Sequence, residues 1–296
     1  MTTAIIYNHS LEKMFGTYAS QIADELKKRG ATPLLMTNFE AGNISDSEIN
    51  FDNCVFLDKD ILCGLHLEKK GIRLFNSIGA IEICDDKRRT YEMLEGIIPM
   101  PKTVFMPLTF NYTDEFISDF TDKIISSLSL PISAKNPFSS LGWGVFLLND
   151  KDAIVKFINE NKGAPLLFSK FIEESKGRDV RVYVVGEKVV AAMLRENKND
   201  FRSNIAVGGV GSHYELDAEA KELCIDTAKA LGLDFCGIDL LFSEGKPSLV
   251  CEVNSNAMFN EINKVCGVNV AAEIAEHIIA ETEKPREFDP FSFLKI

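Results

Sequence analysis

The sequence is poor in the groups that most protein nucleophiles and tight metal sites need. Its four histidines (His9, His66, His213, His277) are scattered, and its seven cysteines contain no Cys-x-x-Cys pair. No Cys/His spacing fits zinc. No serine sits in a nucleophile elbow, and no cysteine has a histidine within motif range. The cysteines (Cys54, Cys63, Cys84, Cys224, Cys236, Cys251, Cys266) are odd in number and widely spread, so they read as reduced core residues of a cytoplasmic protein. The Asn-x-Ser/Thr triplets at Asn8, Asn43 and Asn111 then carry no glycan. Missing too are a Gly-x-Gly-x-x-Gly turn and a Gly-Lys-Ser/Thr phosphate loop, so any phosphate site is of another kind. No stretch approaches the ~20 apolar residues of a membrane span. The opening Met1–Tyr7 lacks a charged leader and reads as a first strand, not a signal peptide. Basic residues are outnumbered 32 to 44, for a net charge of −12. Such a field repels phosphate backbones and anionic lipid, which excludes nucleic acid and membrane surfaces as partners.

What is present is ordinary globular usage: 46% apolar and 26% charged residues over 296 positions. That length implies two or three compact units. The first third alternates strand and helix: Ala4–Tyr7 (strand), Tyr18–Arg29 (helix, stopped by Gly30), then strands at Pro33–Met36, Cys54–Leu57 and Arg73–Asn76. This pattern argues for a parallel sheet with covered faces. Pro99 and Pro101 mark a boundary. Beyond it the spacing predicts a strand at Thr103–Met106 and an amphipathic helix at Asp114–Leu128. Strands at Ile132–Asn136 and Gly144–Leu148 follow, then a helix at Lys151–Asn159 and a strand at Leu166–Ile172. Arg181–Val185 pairs with Lys188–Arg195 across the two-residue turn Gly186-Glu187. A polar segment, Glu196–Gly211, precedes a helix at Ala218–Leu231. A second hairpin joins Phe235–Phe242 to Ser248–Val253, and a last helix spans Val270–Glu281. The apolar tail Phe288–Ile296 is expected to pack on the body or on a second copy, in a homo-oligomer.

The second hairpin is the most informative feature. Closed over Glu244–Pro247 in simple register, it sets Asp239 directly against Glu252 and Ser243 against Ser248. Like charges so opposed are destabilising. Asn254, two residues on, projects from the face of Glu252; Ile238, Leu240, Cys251 and Val253 form the opposite, core face. Two carboxylates and an amide oxygen are the hard-oxygen set suited to magnesium; the alternative is a solvated acidic strand face. Lys102, just before a strand, and Lys135, within one, read either as point charges for phosphate or as snorkelling or edge residues. The loop Pro137–Gly144 reads as a backbone cover over phosphates or as a plain turn. Arg178, Arg181, Arg195 and Arg202, with Asn204, read as a holder of anionic transition-state charge or as surface cations of a hairpin end.

The ordered set of motifs resembles the ATP-grasp superfamily. It runs from Asp86-Lys87-Arg88-Arg89-Thr90 and Ile98-Pro99-Met100-Pro101-Lys102-Thr103, through Lys176-Gly177-Arg178-Asp179-Val180-Arg181 and Asp200–Asn204, to Gly237-Ile238-Asp239 and Glu252-Val253-Asn254. The branch it is most similar to is that of the RimK-like α-L-glutamate ligases, over about Ala4 to Glu281. The resemblance implies an α/β ATP-grasp fold with an N-terminal Rossmann-like parallel-sheet domain at 1–98. A small lobe follows at 99–170, and a C-terminal lobe with the metal site at 171–296. It implies ATP and two magnesium ions, with manganese as a stand-in. Asp239, Glu252 and Asn254 would bind the metal, and Lys102 and Lys135 the ATP phosphates. Lys170 and Phe171 would meet the adenine and Asp179 the ribose. Arg195, Arg202 and Asn204 would hold the reacting carboxylate and the transferred phosphoryl group. Lys170 stands where the family has an acidic residue, and the stretch between Arg195 and Arg202 is one residue short.

The activity implied is amide formation through an acyl phosphate, adding L-glutamate or a similar amino acid to a small-molecule or peptide carboxylate. Chemistry of this kind needs charge neutralisation and alignment more than a protein nucleophile, with Pro137–Gly144 as a lid against water. Two other readings stay open. One is an ATP-grasp enzyme of the lysine/arginine-biosynthesis or peptide-modifying kind; the other is an inactive nucleotide-binding regulator.

Overall fold

In a computed structural model the chain is described at residues 1–140 and 142–283. The apolar tail expected to pack on the body lies outside them. Among the described residues no helix is long and apolar enough to cross a membrane.

Three sheets organise the molecule. The first alternates β1 (Thr2–Tyr7), α1 (Glu12–Lys28), β2 (Thr32–Thr37), α2 (Asn38–Ala41), β3 (Asn53–Leu57), α3 (Ile61–Lys69) and β4 (Arg73–Phe75). Its strands are all parallel, in the order β2-β1-β3-β4. Buried runs such as Ala4–Tyr7 and Cys54–Leu57 mark strands covered on both faces. Helices α4 (Ile78–Asp85) and α5 (Lys87–Leu94) then lead to the second sheet: β5 (Thr103–Phe105), α6 (Asp114–Leu128), β6 (Ile132–Lys135), β7 (Val145–Leu148), α7 (Lys151–Glu160) and β8 (Leu167–Lys170). That sheet is antiparallel, in the order β5-β8-β6-β7. Phe120, Ile124, Ile154 and Phe157 from its two helices pack on one face, with Phe168 at the centre.

The third sheet holds β9 (Arg178–Val185), β10 (Lys188–Glu196), β11 (Val210–His213), β12 (Phe235–Ser243) and β13 (Lys246–Asn254), with α8 (Ala218–Ala230) across it. Its order is β11-β10-β9-β12-β13. Side-chain alternation divides it cleanly. Val180, Val182, Val184, Ile238 and Leu240 face the core under α8. On the other face Tyr183, Val185 and Phe235 pack toward the first sheet, while Asp179, Arg181 and Asp239 stay free of apolar cover. Helices α9 (Asn260–Cys266) and α10 (Val270–Glu283) then return to the N-terminal unit. Ile274 and Ile278 of α10 join Ile22 and Leu26 of α1 in one core.

The elements predicted from spacing occur; helices α2 to α5 are additional to those it placed, and three further differences stand out. The polar segment after β10 contains a short strand, β11, paired to Met193–Glu196. A helix, α9, follows the Asn254–Asn256 polar run. The second hairpin turns at Glu244–Gly245, so Ser243 faces Lys246 and not Ser248. Asp239 still faces Glu252, because bulges at Ser248 and Cys251 restore the register.

One buried side chain ties the first sheet to the third. Asn76 is fully buried; its Nδ2 donates to the carbonyls of Phe235 and Ser255 at 2.9 Å each, and its Oδ1 accepts from the amides of Asp234 and Phe235. Every polar position of the amide is used. The expected outcome for Asn76→Leu is a loss of about 2–4 kcal/mol, since several backbone groups are left buried and unpaired; urea unfolding followed by circular dichroism checks it.

Candidate active site

The site lies where the second and third sheets and α5 meet. A cavity of about 120 Å³ is lined by Lys135, Lys170, Phe171, Asp179, Arg202, Asn204, Asp239 and Glu252 among others. Lys135 ends β6, which lies between β7 and β8 and is no edge strand, and its side chain is buried. Burial works against the ammonium, but the Cys251 sulfur, 3.5 Å from Nζ, and the Glu252 and Asp239 carboxylates outweigh it and raise the pKa.

The opposed carboxylates are present as the spacing requires, and cations of the chain itself meet them. Register sets Arg181 of β9 directly across from Asp239, and Arg195 of β10 across from Asp179. The Arg181 guanidinium grips Asp239 through Nε and Nη2, the latter at 2.8 Å. Arg195, 4% exposed, donates to both oxygens of Asp179 and reaches Asp239 at 2.9 Å. Burial opposes the Asp239 charge, yet the two guanidiniums prevail and hold its pKa down at about 2. Glu252 is met by Lys87 at 3.3 Å. The chain's own cations therefore neutralise the pair. Gly237 makes room for this: a Cβ there would stand 3.2 Å from Arg181 Nη1 and 2.5 Å from Ala257 Cβ.

Arg202 lies in the loop after β10. It forms a fork with Asp200, donating from Nη2 at 2.7 Å, and donates from Nη1 to the Gly142 carbonyl at 3.0 Å. Asn204 presses on the same glycine, where a Cβ would come within 2.6 Å of Oδ1, so the 137–144 loop and the arginine loop meet at Gly142. Phe171 and Phe201, both lining the cavity, meet edge to face.

Four residues singled out from the sequence, Arg181 among them, do not line the cavity. Lys102 is exposed beside the lining residue Pro101. Arg195 is consumed by Asp179 and Asp239. Asn254 lies beyond Glu252, its Nδ2 buried without a partner. Cys251, expected in the core, instead lines the cavity, because the bulge turns it toward Lys135. Lys87 was passed over. Its Nζ also donates to the Pro137 carbonyl at 3.2 Å, joining α5 to the loop; the quoted Asp86–Thr90 motif carried that signal. As a donor set, Asp239, Glu252 and the Asn254 amide fit a hard cation such as magnesium. Among the described residues no group of three or more His, Cys, Asp or Glu is placed to hold a metal.

The description of a RimK-like ATP-grasp domain matches residues 84–278. The chain belongs to the RimK-like ATP-grasp family. It is 38% identical over 223 residues to beta-citrylglutamate synthase B of Homo sapiens, covering 74% of this chain and 56% of that one. It is 35% identical over 218 residues to a probable alpha-L-glutamate ligase of Legionella pneumophila, covering 72% and 69%. The chain thus spans only a little over half the length of the human relative. Among solved structures, D-alanine–D-alanine ligase of Bacillus anthracis in complex with ATP superposes with a TM-score of 0.71 at 19% identity, covering 95% of this chain and 96% of the other. The α/β ATP-grasp fold inferred from the motifs is therefore established.

Replacing Arg195 by Met leaves two buried carboxylates short of a cation, and the expected cost is about 3–5 kcal/mol. The sign with pH follows from Asp239. Its folded pKa lies below the unfolded one, so its contribution is present above pH ~4 and is lost as pH falls toward 2. In Arg195→Met this acid-side loss should begin at higher pH, as read by thermal unfolding between pH 2 and 7.

Proposed function

We propose that the protein is an ATP-dependent carboxylate–amine ligase. A substrate carboxylate attacks the γ-phosphoryl group of ATP, releasing ADP and leaving an acyl phosphate. An amine then displaces inorganic phosphate, loses its proton, and leaves an amide. L-glutamate or a similar amino acid is the amine donor, and a small-molecule or peptide carboxylate is the acceptor.

The observation that carries this reading is the convergence, in one cavity, of the buried Lys135, the facing acids Asp239 and Glu252, and the loop pair Arg202 and Asn204. Among the described residues that line the cavity there is no histidine to pair with a serine or cysteine nucleophile. In the proposed roles Lys135, with Lys102 at the rim, meets the ATP phosphates. The backbone around Lys170 and Phe171 meets the adenine, and Asp179 the ribose. Arg202 and Asn204 hold the reacting carboxylate and the transferred phosphoryl group. Arg195 acts from behind them, orienting Asp179 and Asp239. Asp239, Glu252 and Asn254 are the residues that would hold magnesium, which when bound supplies charge neutralisation on the phosphate oxygens. The same reading divides the chain at 98/99 and 170/171 and sets the protein in the cytoplasm.

Incubation with ATP, Mg²⁺, L-glutamate and a panel of acids, including citrate and short acidic peptides, should release phosphate only when both acid and amine are present. Arg202→Ala should lower turnover by at least about 100-fold, with ATP affinity changed by less than about 3-fold. Glu252→Gln should raise the Mg²⁺ requirement and lower turnover. Phosphate release indifferent to acid and amine, or full turnover in Arg202→Ala, would overturn the reading.

A further inference from the structure

Five carboxylates are buried among the described residues: Glu25, Asp58, Asp86, Asp179 and Asp239. Four have cationic partners, Glu25 with Lys28 and Arg29, Asp86 with Arg88, and Asp179 and Asp239 with the arginines above. Asp58 is the exception. At 6% exposure it accepts from Asn8 Nδ2 at 3.2 Å to each oxygen and from the Lys59 amide at 2.6 Å, all neutral donors. The Lys59 ammonium points elsewhere, to Asp85. Burial consequently pushes the Asp58 pKa up, against the pull of these hydrogen bonds. A buried carboxylate lacking a cation is costly unless something binds it.

Its position is that of a ligand group. Asn8 follows β1 and Asp58 follows β3, the two strands between which the order β2-β1-β3-β4 reverses. In open parallel sheets ligands bind in the crevice outside the carboxyl ends at this switch point. Across it stands the segment that leaves the carboxylate strand β13. Asn256 Nδ2 donates to the Asp58 carbonyl at 2.9 Å, while Asn256 Oδ1 is buried with no donor. Asn256 thus brings a side-chain carbonyl oxygen without a donor to the backbone of a residue whose carboxylate has no cation. Both are answered by an ammonium group, which carries three donors and no acceptor. Asn256 is four residues beyond Glu252, so the chain limits the separation from the facing acids to roughly 14 Å.

We propose that Asp58 and Asn256 bind the ammonium group of the acceptor, so that the acid activated in the cavity is an amino acid or peptide with a free amine. The inference rests on the ligase reading. It concerns the acceptor and not the amine donor. The attacking amine must be unprotonated and beside the acyl phosphate, and so cannot be held as a cation at Asp58.

The test is calorimetric titration of the full chain, with ADP and Mg²⁺, against alanyl-glutamate and glycyl-glutamate and against the N-acetyl form of each. Free-amine members should bind at least ten-fold more tightly than their acetylated partners. Asp58→Asn should erase that preference while leaving ADP affinity and melting temperature near those of the parent. Should Asp58→Asn fold poorly, Asn256→Ala is the second variant, with a several-fold loss of preference expected. Equal binding of acetylated and free-amine probes to the parent protein, or a preference surviving both substitutions, overturns the proposal. The two readings fail separately. A parent protein that shows the Asp58-dependent preference but joins no acid to any amine with ATP keeps the ammonium site and loses the ligase.

Discussion

Two carboxylates set face to face across an antiparallel pair cost free energy unless cations share the space, and the third sheet is arranged around that requirement. The row Arg181–Asp239–Glu252 crosses three adjacent strands, and Arg195–Asp179 forms the next row. Both rows lie on one face of strands whose other face is the valine and isoleucine core under α8. Register is thereby doubly specified. A one-residue slip of β12 would drive Asp239 into the apolar core and expose Ile238 or Leu240 on the charged side. The same slip would leave Arg181 without its counter-ion and strip Arg195 of one of its two, in a site where a lone charge is expensive. Site and fold are held by the same interactions.

The regular elements were legible because their periods are strong. The helix at Asp114–Leu128 carries apolar residues at helical spacing and a Thr113 side-chain cap, and the two-residue turn Gly186-Glu187 sets Lys188 against Val185. The opposition of Asp239 and Glu252 was legible too, although through compensating differences: a tighter turn removed two residues and two bulges put them back. Bulges have no signature in the alternation itself, and for that reason Cys251 was assigned to the wrong face. The arginine clamp was invisible for another reason. Which strand lies beside β12 is a matter of sheet order, and nothing local to Asp239 says that β9 and not β10 is its neighbour. The N-terminal carboxylate Asp58 gave no sign at all, because its meaning comes from the absence of a cation that only the packed chain can reveal.

Substrate chemistry in such a site has an electrostatic consequence. The protein as a whole carries a net charge of −12, yet Lys87, Lys135 and Arg202 line the cavity, and Arg181 and Arg195 stand behind two of its three facing carboxylates. These cations are already ordered by partners within the protein: Asp239 holds Arg181, Asp200 holds Arg202, and Glu252 holds Lys87. On the proposed reading, a polyanionic nucleotide would bind by an exchange of partners and not by the ordering of free side chains. The entropy of fixing the side chains has been met in folding, and what changes is which anion each cation faces. Side chains pre-set in this manner suit a reaction whose barrier is lowered by alignment and charge.

The exchange also has a mechanical side. Lys87 touches both Glu252 and the Pro137 carbonyl, and Arg202 touches both Asp200 and the Gly142 carbonyl. Each of these cations therefore joins an acidic group of the chain to the backbone of the loop after β6. Any anion that draws Lys87 from Glu252 or Arg202 from Asp200 must alter the loop's attachments at the same time, because the same nitrogen-bearing groups serve both. Occupancy of the cavity and position of the loop are coupled through shared donors, so the loop needs no separate sensor of what the cavity contains.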